Sequence, residues 1–365
     1  MSAAPSMEYV PMYVEILSNY SSLQFQEDYG RGAGDQSSTE IAAALRGLFT
    51  LSENSALKSN REALVHDYDK VVPTLLEFLG SEYAQSNSSE QYLALLVLNN
   101  VSIPSENKRI IAMNCNAVSI LARLLCEDVS CHLMAIILVN LTFADADLRR
   151  ELVNPNSHMQ LVDALSFAFV VSMQDESFEN TMAGNHANPR ELLRSTMERL
   201  NLDRNLAANP QFPETARWCI CALKNLTRPS KDPLAAHAVT DSGIVPLLLK
   251  ILTVRGDYPD RNDAKNEPSM WESNSLQDAA LFTILNLATS QPARHYLKEV
   301  DTVHTLSGIT DFTKNDSEEN VPEDSNYKVE QFQCLKARMA LAYIVGGEGH
   351  YGQAKMRNVS RCLSC

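Results

Sequence analysis

The segment ALKNLT (Ala222–Thr227) decides the fold, because close variants of it recur along the chain. Asparagine has only middling helix propensity, so its return near the end of successive apolar helices requires an explanation. Each copy ends a run of about one dozen mostly apolar residues, a length typical of a buried helix. The copies are IAAALRGLFTLS (41–52), YLALLVLNNVSI (92–103), LMAIILVNLTFA (133–144), ARWCICALKNLT (216–227), DAALFTILNLAT (278–289) and KARMALAYIVGG (336–347).

The asparagines of these copies form a column, and the spacing of the column indicates an internal repeat. The column consists of Asn100, Asn140, Asn225 and Asn286, with Gly47 in its place in the first copy and Tyr343 in the last. Asn140 follows Asn100 by 40 residues, and the other intervals are longer.

Two further helix types accompany each asparagine helix and complete a three-helix unit. The helix before it repeats apolar residues at i, i+3, i+4 and i+7, which predicts one buried face. A short charged helix follows it. The preceding helices are VVPTLLEFLG (71–80), NAVSILARLL (116–125), HMQLVDALSFAF (158–169), GIVPLLLKIL (243–252) and, more weakly, VDTVHTLSGI (300–309); the charged ones are SENKRIIAMN, ADLRRELVN, DPLAAHAVTD and QPARHYLKEV.

The longer intervals contain polar inserts between the second helix and the asparagine helix. These inserts lie at about 81–89, 171–213, 253–275 and 313–330, and they are rich in Asn, Asp, Glu, Ser and Pro. Such composition predicts surface loops, and insertion at one loop type places them along one edge of a repeat array. We therefore expect an N-terminal segment with a short helix and a flexible loop (1–40), a repeat domain (41–347) and a flexible tail (348–365).

A unit of this size, with a second helix like GIVPLLLKIL and a third like ALKNLT or ILNLAT, resembles the armadillo repeat. The resemblance covers about 41–347 and implies an all-α, right-handed superhelix of about six three-helix repeats with long loop insertions. It also implies that the third helices line a concave groove, where each asparagine reaches the backbone of a bound peptide. A carboxamide has two donors and an acceptor for this purpose. Alternatively, the asparagines bond to the neighbouring repeat and only fix the stacking.

The residues one and two turns before the column share its helix face and predict the character of the groove. They are Leu93 and Leu96, Leu133 and Ile136, Trp218 and Cys221, Ala279 and Phe282, and Lys336 and Met339. Because few are polar, we expect the partner to be an apolar or amphipathic protein segment. The candidate partner-binding residues are Asn100, Asn140, Trp218, Cys221, Asn225, Phe282, Asn286, Lys336 and Tyr343. Importin-type members typically carry tryptophan four residues before the asparagine; Trp218 is displaced from that position by a turn, which argues against binding of nuclear signals.

Composition excludes several classes of function. The formal net charge of −14 argues against nucleic-acid partners and anionic membrane surfaces. No run approaches 18 apolar residues, so we expect no membrane span, and the N-terminus lacks the pattern of a secretory signal. The chain has no Walker, GxSxG or HExxH motif and no His–Cys metal constellation. We expect no enzyme activity, no metal, no cofactor and no small-molecule ligand.

The cysteines and the asparagine triplets favour a reducing compartment. Most of the eight cysteines lie within or beside apolar helical runs, as buried free thiols would. The Asn-x-Ser/Thr triplets at Asn100, Asn140 and Asn225 lie in apolar helices, so we interpret them as accidents of the repeat rather than glycosylation sites. We expect a cytoplasmic protein, also nuclear in location if its partner requires it.

Three alternatives remain open in the sequence. NPRELLRSTMERLNL (188–202) predicts an amphipathic helix that could lie across the groove, dock on a partner or cap an edge. The terminus RCLSC resembles a prenylation box at Cys362, although cysteine is not a usual final residue. In place of a groove-binding adaptor, the chain could regulate a folded partner such as a GTPase or a chaperone ATPase through its edge loops.

Overall fold

The computed structural model describes most of the predicted helices, and every regular element in the described residues is helical. It describes residues 5–22, 34–53, 58–128, 131–153, 161–173, 214–229, 233–253, 275–311 and 325–346. The prediction of an all-α fold is confirmed for these residues, which contain no strand. The predicted helix 188–202, nearly all of the inserts 171–213 and 253–275, and the tail with Cys362 lie outside them.

The chain divides into two compact units, residues 1–164 and 165–365. Unit 1 begins with a 3₁₀ turn at Met7–Tyr9, and α7 continues into a π-helical turn at Ile110–Asn114. Its helices are α1 (Val10–Ser22), α2 (Gly34–Glu53), α3 (Lys58–His66), α4 (Val71–Leu79), α5 (Glu82–Ser86), α6 (Ser88–Ser102), α7 (Ser105–Arg109), α8 (Ala117–Glu127), α9 (His132–Thr142) and α10 (Ala146–Val153).

Unit 2 follows the same order of short and long helices. Its first helix, α11 (Leu161–Ser172), begins three residues before the boundary between the units. The others are α12 (Glu214–Leu226), α13 (Leu234–Asp241), α14 (Val245–Thr253), α15 (Ser275–Thr289), α16 (Gln291–Glu299), α17 (Thr302–Asp311) and α18 (Ser325–Gly346).

The asparagine helices, here called third helices, pack side by side within each unit. In unit 1, α6 lies between α2 and α9; in unit 2, α15 lies between α12 and α18. Long helices that precede third helices pack on them, as α8 does on α9 and α14 on α15. This arrangement brings the asparagines of successive copies onto neighbouring helices.

The apolar period of the second helices forms the core, as the sequence predicted. In α8, Val118, Leu121 and Leu125 lie on one face and are fully buried. They meet the buried side of α9, where Leu138 and Leu141 are also inaccessible to solvent. Full burial of one such side chain stabilises a fold by about 1.5–3 kcal/mol, so these stripes hold the two helices together.

The short charged helices bond to the carbonyls at the ends of third helices, which have no partner within their own helix. Asn60 Nδ2 donates to Leu51 O at 3.3 Å, and Arg61 Nε donates to Ser52 O at 2.7 Å. In the next copy Asn107 Nδ2 donates to Val101 O at 2.8 Å. The polar residues of these helices thus bond the unit together as well as face water.

Three expected boundaries differ in the structure. α1 packs on α2 and α4 through buried Val10, Val14 and Leu17, so the packed helices begin before Ile41. The segment 81–89, predicted as a loop, contains α5 and the start of α6; Ser81 caps α5 by accepting from Ala84 N at 3.3 Å. The segment 313–330 overlaps α18, which begins at residue 325.

Residue 47 is a glycine because the Tyr13 ring of α1 packs directly against it. A Cβ atom on Gly47 would lie 2.5 Å from Cζ of Tyr13, closer than side chains tolerate. The glycine therefore admits the tyrosine ring between α1 and α2.

No single described helix is both long enough and apolar enough to span a membrane. Two pairs of consecutive helices reach that length and composition only when taken together. The first is 105–114 with 117–127, bent by 76°, and the second is 234–241 with 245–252, bent by 79°.

Candidate functional site

In unit 1 the column asparagines bond to the third helix that precedes their own. Asn100 Nδ2 donates to Ser52 Oγ at 3.1 Å. Asn140 Nδ2 donates to Ser102 Oγ and to Asn99 Oδ1, both at 3.0 Å. The amide groups therefore link α2 to α6 and α6 to α9.

In unit 2 the same link joins α15 to α12. Asn286 Nδ2 donates to the backbone carbonyl of Lys224 at 3.1 Å and to Thr227 Oγ1 at 3.4 Å. Because a carbonyl can only accept, this contact fixes which end of the Asn286 amide points towards α12. Asn225 itself is buried, with 5% of its surface exposed. We call these amide–hydroxyl links the amide ladder.

The hydroxyls of the ladder fix the orientation of the amides. A hydroxyl has one proton, and each of these uses it on a carbonyl of its own helix, so it can only accept from the amide of the next copy. The intrahelical bonds run from Ser52 to Phe49 O (2.9 Å), from Ser102 to Asn99 O (2.8 Å) and from Thr227 to Leu223 O (2.9 Å).

The amide oxygens of the ladder are consequently left as acceptors. Within the described part of the chain, no donor bonds to Oδ1 of Asn100, Asn140 or Asn286. None of the three oxygens is among the buried polar atoms without a partner, so each remains accessible to solvent. The ladder thus uses the donors internally and leaves acceptors on the surface of the third helices.

The ladder gives the Asn-x-Ser/Thr triplet at Asn100 a structural role within the repeat. In Asn100-Val101-Ser102 the asparagine bonds backwards to Ser52, and the serine accepts from the following copy. The same alignment corrects the first copy. Ser52 corresponds to Ser102, so the column position two residues earlier is Thr50 rather than Gly47.

The open side of α6 and α9 in unit 1 is neutral, whereas α2 carries the exposed Arg46 four residues before Thr50. Leu96 and Ile136, four residues before their asparagines, are half-buried, whereas Leu133 is only 6% exposed and belongs to the core. We define the unit-1 face as Leu93, Leu96, Asn99, Asn100, Ile136 and Asn140. It presents aliphatic side chains beside amide acceptors.

The corresponding side of unit 2 carries a tryptophan and an arginine. The Arg217 guanidinium lies 4.5 Å from the ring centroid of Trp218, a cation–π distance. The indole Nε1–H is buried and has no acceptor among the described residues. An unsatisfied buried donor costs about 1–3 kcal/mol, so Trp218 is held at some cost.

Two lysines flank Phe282 on α15. Lys224 Nζ lies 5.8 Å and Lys336 Nζ 4.0 Å from the ring centroid. Lys336 is 4% exposed and forms an ion pair with Asp278. Burial lowers the pKa of Lys336; Asp278 raises it and the charge on Lys224 lowers it further. The side chain of Lys336 is therefore enclosed, as is that of Ala279 at 2% exposure, and a contact of Lys336 with a partner stays a prediction.

Cys221 lies among the same cations. Burial raises the pKa of its thiol, although the charges on Lys224 and Arg217 act in the opposite direction. Burial likewise raises the pKa of the Cys126 thiol in unit 1, to about 12. Raised values keep thiols protonated and poorly nucleophilic. We define the unit-2 face as Arg217, Trp218, Cys221, Lys224, Phe282 and Asn286.

Tyr343 lies apart from the other candidates as a half-buried residue of α18. It lines a surface cavity of about 470 Å³ with Arg294, His295 and Lys298 of α16. A second cavity, of about 330 Å³, adjoins Asn286 and Thr227. Among the described residues no group of three His, Cys, Asp or Glu side chains could hold a metal ion.

Sequence reasoning missed two groups of this site. Arg217 and Lys224 lie eight residues and one residue before Asn225, whereas the prediction rested on the positions four and seven residues before the column. The sequence did contain a signal for them, because each is a cationic residue on a helix face that is otherwise apolar. The hydroxyls two residues after the asparagines were also missed, although the triplet itself marked them.

Comparisons with known proteins identify a related fold but no family. No family model and no curated protein matches the chain. An engineered protein solved by the Northeast Structural Genomics Consortium is 18% identical, with a TM-score of 0.55, over 91% of this chain and 57% of that chain. At this identity the likeness shows the fold alone.

A second solved structure is a weaker match. Its title states that a conserved phosphorylation switch controls the interaction between cadherin and β-catenin. The matched chain is 15% identical, with a TM-score of 0.40, over 92% of this chain and 60% of its own length. This chain therefore spans less than two thirds of either solved structure.

Proposed function

We propose that the chain is a protein-interaction scaffold of the armadillo type, an adaptor that binds a partner segment along the third helices of about six three-helix repeats in a right-handed superhelix. The observation that carries the proposal is the orientation of the amide ladder. Accessible acceptors on neighbouring third helices match the backbone N–H groups of an extended peptide, whatever its side chains.

The proposal combines the two hypotheses for the asparagines, namely binding of a peptide backbone and packing between neighbouring repeats. The donors of Asn140 and Asn286 stabilise the packing of third helices, and their acceptors bind a ligand. Half-buried apolar side chains beside them, Leu96 and Ile136 in unit 1 and Phe282 in unit 2, supply contact area. An apolar segment with free backbone N–H groups would therefore gain from both kinds of contact.

We propose no catalytic role for the chain and no cofactor. Among the described residues, the pKa values of the Cys115, Cys126, Cys131 and Cys221 thiols are all raised by burial. An activated cysteine nucleophile needs a lowered pKa, and these values are raised. We further propose a cytoplasmic location, also nuclear where a partner requires it, which fluorescence microscopy of the tagged chain would test.

Matched substitutions separate ligand binding from packing. Peptides from a display library of random 12-residue segments would be selected against the full chain. Asn286→Ala removes the acceptor together with the packing bonds, whereas Thr227→Ala removes one packing acceptor and leaves Oδ1 of Asn286 in place. We expect Asn286→Ala to weaken binding of selected peptides by about ten- to a hundredfold, equivalent to 1–3 kcal/mol, and Thr227→Ala to leave it within about twofold.

The same pair in unit 1 is Asn140→Ala and Ser102→Ala, and melting temperatures are measured for all four variants. Both members of each pair should lose some stability. Equal binding by the Asn and hydroxyl variants, or a library from which no peptide is selected, would show that the ladder serves packing alone.

A further inference from the structure

The unit-2 face carries uncompensated positive charge on a chain that is acidic overall. Lys336 is paired with Asp278, but among the described residues no carboxylate lies within 4.0 Å of the charged groups of Arg217 or Lys224. The chain has a formal net charge of −14. Among the described residues, two cations of this face therefore have no carboxylate partner, on a chain whose overall charge is negative.

These cations act together as one cluster. Both Lys224 Nζ and Lys336 Nζ approach the Phe282 ring, at 5.8 and 4.0 Å, so the two ammonium groups lie within about 10 Å of each other. Their charges influence each other, since the charge on Lys224 contributes to lowering the pKa of Lys336. Arg217 and Lys224 both influence the Cys221 thiol, which places the guanidinium in the same cluster.

Polar and apolar contacts lie beside the charges. Trp218 and Phe282 present aromatic surface under the cations, and Asn286 has an accessible acceptor one helical turn after Phe282. The Trp218 Nε1–H has no acceptor within the part of the chain that the structure describes. A ligand suited to this face combines anionic groups, apolar side chains and backbone N–H groups. A peptide segment in which Asp or Glu alternates with apolar residues has all three.

We propose that the unit-2 face binds an acidic, apolar-containing extended peptide segment, with its carboxylates on Arg217 and Lys224 and its apolar side chains on Trp218 and Phe282. The inference rests on the proposed function and states which partner chemistry one part of the scaffold accepts. Charge complementarity selects the occupant, because a basic segment would add to the existing repulsion and a neutral one would leave both cations unpaired. The unit-1 face, with Leu96 and Ile136 and no cation among its defining residues, lacks this preference.

The probe is a fluorescein-labelled 12-residue peptide of alternating Glu and Leu, and its matched control replaces each Glu with Gln. Binding to the full chain is measured by fluorescence polarisation at 50 mM and 200 mM salt. We expect the Glu peptide to bind at least tenfold more tightly than the Gln peptide at low salt. The difference should shrink at high salt, because screening weakens contacts between accessible charges.

Charge-matched variants locate the interaction. Arg217→Gln with Lys224→Gln should weaken binding of the Glu peptide at least tenfold. Lys70→Gln with Arg123→Gln removes the same charge from exposed positions outside the face and should change binding less than twofold. Far-ultraviolet circular dichroism confirms that both double variants fold.

Equal affinity for the Glu and Gln peptides, no binding of the Glu peptide at 100 µM protein, or equal loss in both double variants would overturn the inference. These outcomes are distinct from failure of the scaffold proposal. If display selection yields neutral peptides that require Asn286, the scaffold proposal stands and the charge preference fails.

Discussion

Beside the amide ladder, unit 1 and unit 2 carry different side chains at equivalent positions. Four residues before their asparagines, unit 1 has Leu96 and Ile136, whereas unit 2 has Cys221 and Phe282. The ladder itself is common to both, with Nδ2···O distances of 3.0–3.4 Å. The comparison shows that one device links third helices in both units, while the positions around it vary in charge and can differ in what they bind.

The largest expected effect concerns the enclosed ion pair of unit 2. Lys336→Met leaves the Asp278 carboxylate, about one-third exposed, without its partner. Because a remaining charge loses its compensation, we expect a loss of about 1–3 kcal/mol, less than for a fully buried pair. Chemical denaturation of the full chain measures it.

Two further variants test the origin of that loss. Adding Asp278→Leu to Lys336→Met should recover most of the stability, since no charge is then left unpaired. In unit 1, Arg109→Met breaks an exposed pair with Glu151, in which Nη1 of Arg109 lies 2.9 Å from both carboxylate oxygens. An effect of Arg109→Met as large as that of Lys336→Met would contradict the contrast between the two pairs.

Replacing one glycine by alanine in each unit should change the stability in opposite directions. Gly47→Ala places a Cβ 2.5 Å from the Tyr13 ring, and we expect unit 1 to lose about 1–2 kcal/mol by overpacking. Gly308→Ala, within α17, meets no atom within 4 Å and should gain about 0.5–1 kcal/mol from helix propensity. Melting temperatures report both, and Tyr13→Ala should relieve the Gly47→Ala variant. Stabilisation by Gly47→Ala would show that the tyrosine ring does not fill this space.

The smallest effect concerns two cysteines. Arg217 and Lys224 lower the pKa of Cys221, so removing their charges with Arg217→Gln and Lys224→Gln should raise it. The native-state alkylation rate of Cys221 at pH 8 should then fall by about two- to threefold, because the thiolate reacts. Cys126 in unit 1, whose pKa is raised to about 12 mainly by burial, should be unaffected. Mass spectrometry of digested protein follows both; a fall at both sites would indicate a general change in protection.

Sequence periodicity predicted the helices well, because burial of an apolar stripe is a local pattern. The segment 133–144 corresponds to α9 at His132–Thr142, and the apolar residues of 116–125 are those that α8 buries. Gly47 was misplaced because its partner, Tyr13, lies 34 residues earlier, and no local pattern records that contact.

The candidate site was predicted only in part. The column was visible in the sequence, and Trp218, Cys221 and Phe282 do share one face with Lys224. The direction of the amides was not predictable, since it depends on whether Ser102 or Thr227 uses its proton within its own helix. The enclosure of Lys336 depends on Asp278 and Phe282 of a different helix, which a helix-face argument on α18 alone does not include.

The orientation of the amides also restricts the covalent chemistry of a ligand. An accessible oxygen at Asn140 or Asn286 can be paired only by a group that carries a hydrogen. Proline and N-methylated residues have none on the backbone nitrogen and present a bulky carbon there instead. A segment with proline in that register would be excluded whatever its side chains, so scanning a bound peptide with proline would mark which of its residues face the asparagines.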